Sequence, residues 1–206
     1  MSDVRLLPCG DAAVLVEVAD LDAALALHAD LRAHPPAGLV DAVPAERTVL
    51  VRLDPAATTV AELRDDLVAR RPSVHPAVDG ALVTVPVVYD GADLADAADG
   101  AGWTVDHLVA AHQERTWRVA FAGFAPGFGY LVPDGDWPEV PRRADPRTRV
   151  PAGAVALAGR YAGVYPRPSP GGWQLVGSTD LAVWDVDREP PALLVPGTRV
   201  RFEAVP

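Results

Sequence analysis

The chain has 206 residues, half of them hydrophobic, and a formal net charge of −10. That composition supports a packed core and excludes an intrinsically disordered chain, and the acidic balance argues against nucleic acid as a general partner. The single cysteine, Cys9, excludes an internal disulfide and a multi-cysteine metal site, and all 18 basic residues are arginine, which excludes P-loop and Schiff-base lysine chemistry in this chain.

Val4–Leu7 and Ala12–Val18 read as strands around a Pro8–Asp11 turn. Leu21–His34 carries apolar residues at helical spacing and is stopped by Pro35-Pro36. Val40–Val43 and Thr48–Leu53 read as strands, and Thr59–Arg70 as a helix capped by Thr58 or Thr59. The order ββαββα predicts a compact sheet with helices on one face. Arg70–Pro76 reads as a linker, which divides the chain into domains 1–76 and 77–206.

Beyond it, Ala81–Tyr89 is a strand interrupted by Pro86, which implies an edge or a bulge. Acidic, alanine-rich Gly91–Gly102 is a loop or short helix, and Thr104–Gln113 a helix with Thr104 as N-cap. Arg118–Phe124 is the next strand. From residue 150 onward only strand signals occur: a Val155–Ala158 and Ala162–Tyr165 hairpin across Gly159-Arg160, then Gln174–Ser178, Leu181–Trp184 and Arg199–Phe202. The fold class expected is α+β, mostly β: a small N-terminal α/β domain followed by a closed or nearly closed β-barrel. No apolar run has the roughly 18–20 residues of a membrane helix, and no signal peptide is apparent at the N-terminus, so a cytoplasmic protein without membrane contact is expected.

The region richest in chemistry is 121–177. Its loops combine glycine and proline with large rings rather than with polar residues, as at Phe124, Phe128, Tyr130, Tyr165 and Trp173. Loops built this way shape a site or an interface. Pro126-Gly127 suits a tight turn with Gly127 at positive φ, which presents backbone N–H groups between Phe124 and Phe128 to a flat polar ligand. Gly171-Gly172, ahead of Trp173, permits close approach of a ligand or of another backbone. Between Arg142 and Arg167 there are six arginines and one acid, Asp145. Such an excess suits a carboxylate or phosphate, because the guanidinium fork binds two oxygens at once; a solvated loop or the rim for an acidic partner is the alternative.

No nucleophile elbow, zinc-protease motif or dinucleotide fingerprint is present. Ser169 is the one serine in the unusual loops, and a hydrogen bond at a turn is its simplest role. His107 and His112 are five apart, unsuited to a shared metal on one helix face; His112 ends its helix just before the strand that feeds the Gly-Phe loop, as a packing residue or a site residue. No catalytic residue and no metal site are assigned.

The ordered segments Gly123–Leu131, Pro146-Arg147, Val150–Gly153, Val164–Pro166 and Ser169–Gly177 closely resemble the family of the B-type chain of bacterial 5-oxoprolinase, a family also labelled allophanate hydrolase subunit 1. That family includes an inhibitor of a sporulation histidine kinase and is similar to part of the carboxyltransferase domain of urea carboxylase. Pro8-x-Gly-Asp11, Val43-Pro44 and Asp54-Pro55 extend the resemblance over nearly the whole chain. The resemblance implies a cyclophilin-like barrel at residues 77–206. It also implies a non-autonomous subunit of an ATP-dependent amidohydrolase that opens 5-oxoproline to glutamate. The active site is then shared with a related C-type chain, a third hydrolase subunit completes the complex, and ATP with Mg acts at complex level. The alternatives are a regulatory inhibitor of a sensor histidine kinase and a subunit acting on allophanate or urea-type amides.

The site candidates on this reading are His112, Phe124, Pro126, Gly127, Phe128, Arg147, Pro151, Gly153, Tyr165, Ser169, Gly171, Gly172 and Trp173. Ser178 and Asp180 depart from the family pattern, which has Arg and Pro there.

Overall fold

The computed structural model describes residues 4–70 and 80–206. The expected linker at Arg70–Pro76 lies, apart from Arg70, outside the described residues. The chain divides into two compact units, Met1–Ala77 and Val78–Pro206.

In the first unit, β1 (Arg5–Pro8), β2 (Ala13–Glu17), β3 (Leu39–Pro44) and β4 (Thr48–Leu53) form an antiparallel sheet in the order β1-β2-β4-β3. Alternation along the strands sends Val14 and Val16 of β2 and Val49, Val51 and Leu53 of β4 to one face. There they meet Leu27 and Leu31 of α1 (Leu21–Ala33) and Leu63 and Leu67 of α2 (Val60–Ala69). Both helices start at side-chain caps. Asp20 accepts from the Ala23 N–H at 2.9 Å, and Thr59 forms a reciprocal capping box with Glu62. Arg70 ties the two helix ends together, donating to Asp30 at 2.6 Å, to the His34 carbonyl at 2.8 Å and to Asp66.

The second unit is built on seven strands: β5 (Leu82–Val87), β6 (Trp117–Ala122), β7 (Gly129–Pro133), β9 (Ala154–Ala158), β10 (Tyr161–Val164), β12 (Gln174–Ser178) and β13 (Arg199–Ala204). They form one sheet in the order β12-β9-β10-β7-β6-β13-β5. Neighbours are antiparallel except the β5–β13 pair, which is parallel. The two edges meet where Val88 and Ser178 exchange N–H···O bonds, 2.9 Å each way, so the sheet is a nearly closed barrel. Pro86 lies in edge strand β5, where a missing N–H is tolerated, as expected from the sequence. Two helices cover this unit: α3 (Leu94–Gly100) and α4 (Val105–Glu114), the latter capped by Thr104 through the His107 N–H at 3.2 Å. The interior is aliphatic along β9 and β10, with Trp117 and Phe202 as its largest rings. The fold is thus α+β and mostly β, with four helices among the described residues.

Three short strands escape sequence patterning. β7 lies inside the Gly-Pro-aromatic run, and β8 (Arg147–Val150) and β11 (Ser169–Gly171) form a separate two-stranded ribbon. Leu181–Trp184, expected as a strand, is instead loop with one bridge, Trp184 to Ala192. Its backbone groups are taken by the loop itself. The Leu181 N–H goes to the Thr179 hydroxyl, the Ala182 carbonyl to Arg188, and the Val183 carbonyl to the Leu193 N–H.

Gly91 packs directly on the backbone of edge strand β12. Its N–H donates to the Val176 carbonyl at 3.3 Å, and a Cβ there would fall within the Leu175–Gly177 backbone. Gly91→Ala is expected to lower stability by about 1–3 kcal/mol, as overpacking does. A denaturant midpoint unchanged from wild type would contradict this role.

Candidate functional site

The barrel carries an aromatic cluster centred on Phe128, which is 2% exposed. Phe124, Tyr130, Tyr165 and Trp173 each place a ring centroid 5.1–5.4 Å from Phe128 in T-shaped geometry. Such edge-to-face pairs are favoured by the ring quadrupole. The β6–β7 connection that brings Phe124 and Phe128 together is tight: the Ala125 N–H donates to the Gly123 carbonyl at 2.7 Å and the Phe128 N–H to the Ala125 carbonyl at 3.0 Å. Gly127 has φ +81°, as expected, and Trp184 packs where its Cβ would be. Phe124 itself has φ +65° and is 57% exposed. A bulky residue in this conformation costs on the order of 1–2 kcal/mol, and an exposed ring does not recover that through burial. Strain of this kind concentrates at functional positions.

Beside the rings stand three arginines of the 142–167 excess, Arg142, Arg143 and Arg147. Two of them are committed within the protein. Arg143 Nη1 and Arg147 Nη2 both donate to Asp93 Oδ1, at 2.6 and 2.7 Å, while Asp93 Oδ2 accepts the Leu175 N–H at 2.8 Å. Asp93 is 1% exposed. Burial pushes its pKa up, but the Arg147 hydrogen bond, the Leu175 N–H and the two guanidinium charges outweigh this and hold it below the ordinary carboxylate value. Arg147 keeps Nη1 buried and without a hydrogen-bond partner among the described residues.

Arg142 differs from both: among the described residues it forms no ion pair. Its Nη2 lies 3.5 Å from the position a Cβ on Gly172 would take. Burial raises the Tyr130 and Tyr165 phenol pKa values, and in both the Arg142 charge opposes that rise. Arg142 therefore stands at the edge of the aromatic cluster as an available cation.

The candidates separate on this geometry. Phe124, Pro126, Gly127, Phe128, Tyr165, Gly171, Gly172 and Trp173 come together in or beside the cluster; Gly171 leaves room for the Tyr165 hydroxyl, which a Cβ would strike. Arg147 and Ser169 lie on the β8–β11 ribbon, with Arg147 opposite Gly171 and the Ser169 hydroxyl buried without a partner among the described residues. Pro151 precedes the turn at Gly153. Gly153 and Tyr165 line an adjoining cavity of about 290 Å³ with Thr179, Asp180, Leu181 and Trp184. One of the two departures from the family pattern, Asp180, therefore faces a cavity; the other, Ser178, donates to Asp90 at 3.1 Å.

His112 is placed elsewhere. It is 1% exposed, stacks on Phe202 with centroids 4.1 Å apart, and contacts Trp117 and Trp137. Its Nδ1 lies 2.7 Å from the Tyr89 hydroxyl. None of these partners belongs to the Phe128 cluster. Asp93 and Arg142, in contrast, were not among the candidates. Asp93 has a sequence signal of the wrong kind, an acid just before a helix, but its side chain makes no cap bond. Its partners are 50 and 54 residues away, and no local pattern reveals them.

Residues 4–194 match the family model described as carboxyltransferase domain, subdomain C and D. The chain belongs to this family. Among relatives of this carboxyltransferase subdomain, the B-type chain of 5-oxoprolinase from Escherichia coli O157:H7 is 48% identical over 126 residues, which are 58% of this chain and 56% of that protein. The crystal structure of TTHA0988 superposes with a TM-score of 0.74 at 39% identity, covering 99% of this chain and 41% of that one. Kluyveromyces lactis urea carboxylase gives a TM-score of 0.81 at 21% identity, covering 98% of this chain and 22% of that one, which is a likeness of fold. The match takes in about half the length of the 5-oxoprolinase relative, and the resemblance drawn from the loops is borne out at the level of the family.

Burial drives the His112 pKa down to about 3, so the ring is neutral in the folded protein at neutral pH. The unfolded chain takes up this proton near pH 6.5. The stabilising contribution of the neutral ring is therefore complete above about pH 6.5 and declines as pH falls toward 3, by at most about 1.4 kcal/mol per pH unit. Unfolding titrations between about pH 4 and 7 are expected to show a shallower pH dependence in His112→Gln than in wild type. Equal slopes would refute the assignment.

Proposed function

We propose that this chain is a subunit of a 5-oxoprolinase-type hydrolase and that it holds the carboxylate of a small cyclic amide at Arg142. One observation carries this reading: Arg142 is a guanidinium without an ion-pair partner among the described residues, beside a floor of tyrosine and tryptophan rings, while its neighbours Arg143 and Arg147 are occupied by Asp93. A planar lactam lies well against aromatic faces, and its carboxylate accepts a forked pair of N–H bonds from a guanidinium. The buried, partnerless Arg147 Nη1 is a second donor suited to a ligand oxygen. The matched relatives, named as the B-type chain of 5-oxoprolinase, support a 5-oxoprolinase-type system.

The family resemblance implies coupling to ATP, which suits the chemistry, because a lactam is a poor electrophile until its amide oxygen is activated. The magnesium nucleotide belongs to the assembled complex, as the family resemblance implies. The contribution proposed for this chain is binding and orientation. Arg142 and Arg147 hold negative charge, and the rings exclude water from one side of the amide. The remaining groups come from a related C-type partner chain and a third hydrolase subunit in the cytoplasm, and the chain is inactive alone.

The test compares 5-oxoproline with 2-pyrrolidinone, which keeps the ring and lacks the carboxylate. Wild type, with its partner chains, is expected to prefer 5-oxoproline, and Arg142→Ala to lose about tenfold or more of that preference, as for a hydrogen bond to a charged group. Retained preference in Arg142→Ala would refute the assignment.

A further inference from the structure

Arg142 makes no ion pair of its own among the described residues, yet the segment on either side of it is tied at several points. Residue 141 is tied by the Gln174 side-chain amide, whose Nε2 donates to the Pro141 carbonyl at 3.1 Å. Residue 143 is tied twice: its N–H donates to the Gly172 carbonyl at 2.9 Å and its guanidinium to Asp93 at 2.6 Å. Asp93 is fastened in turn to β12, through Leu175 N–H to Oδ2 at 2.8 Å and through its own N–H to the Leu175 carbonyl at 2.9 Å. The β8 end of the same segment is held by Arg147 on the same carboxylate oxygen.

One arginine is enough to neutralise a buried carboxylate, and a second leaves a surplus of positive charge. Arg143 and Arg147 on the one Asp93 carboxylate carry a net charge of about +1, and Arg142, next to Arg143 in the chain, adds a cation with no ion pair among the described residues. An arrangement serving stability alone has no use for that surplus, because buried pairs contribute little net stability. It is suited to holding a cation in place for an anion that arrives from outside.

We propose that Asp93 is a positioning residue: by clamping Arg143 and Arg147 to β12 it sets the location of Arg142 over Gly172 and thereby the carboxylate affinity of the site. This rests on the proposed function for its ligand, but the clamp itself has a readout without ligand. Asp93 touches no substrate and acts only through the segment it holds.

The experiment uses Asp93→Asn, Arg142→Ala, the double variant and Arg143→Gln. Arg143→Gln breaks one arm of the clamp and leaves Asp93 paired with Arg147 and Leu175, so it stands in if Asp93→Asn does not fold. Amide hydrogen exchange on the full chain is expected to rise at residues 141–147 in Asp93→Asn and Arg143→Gln, with strands β6 and β7 unchanged. Binding by calorimetry, with partner chains present, is expected to show 5-oxoproline weakened about tenfold by Asp93→Asn in the wild-type background and not further weakened in the Arg142→Ala background. Unchanged exchange at 141–147 overturns the clamp. An equal loss in both backgrounds overturns the claim that Asp93 acts through Arg142. If wild type does not prefer 5-oxoproline over 2-pyrrolidinone, the carboxylate reading of the site fails, and the exchange data alone decide the clamp.

Discussion

A carboxylate taken out of water costs several kcal/mol unless charge and hydrogen bonds surround it, and Asp93 is surrounded on both oxygens. Two guanidinium groups share one oxygen and a β12 amide holds the other. Through this single side chain the start of α3, strand β12 and the arginine-bearing segment 141–147 are joined. Removing any one partner leaves buried charge less compensated, which is why the three elements cannot be rearranged independently. The barrel provides the rigid frame, since its edges are already fastened at Val88 and Ser178.

The aromatic cluster depends on a different constraint, the space left by missing side chains. Gly171 admits the Tyr165 hydroxyl, and Gly127 admits the Trp184 side chain. Rings are rigid and carry little conformational freedom, so once admitted they make a firm wall at low entropic cost. Phe124 is the exception, exposed and held in a left-handed conformation. Its strain is sustained by the short hydrogen bonds of the Gly123–Phe128 loop rather than by burial.

Charge and shape therefore divide the work between two loop systems on one barrel. The ribbon and the 141–147 segment bring cationic groups, and the β6–β7 loop and the end of β10 bring rings. Tyr165 belongs to both: it packs on Phe128, lines the adjoining cavity and feels the Arg142 charge. Asp180 gives that cavity an acidic wall. The resulting surface has an anion-seeking side and an acidic side within reach of one tyrosine.

What the sequence determined by itself was local. Helix starts at Thr59 and Thr104, the stop at Pro35-Pro36, the edge position of Pro86 and the Gly159 hairpin are set by residues within a few positions of one another, so they are readable from a single chain. The Gly-Pro-aromatic run was readable as a distinctive segment for the same reason, and its motifs carried the family. The seven-strand order, the β8–β11 ribbon and the loop at Leu181–Trp184 were decided by pairing between distant segments, where competing partners for the same backbone groups are settled only when the barrel closes. Asp93 is the clearest case. Its meaning is electrostatic and lies some fifty residues away, and only the tertiary structure could separate the two arginines it occupies from Arg142, which it leaves without an ion pair among the described residues.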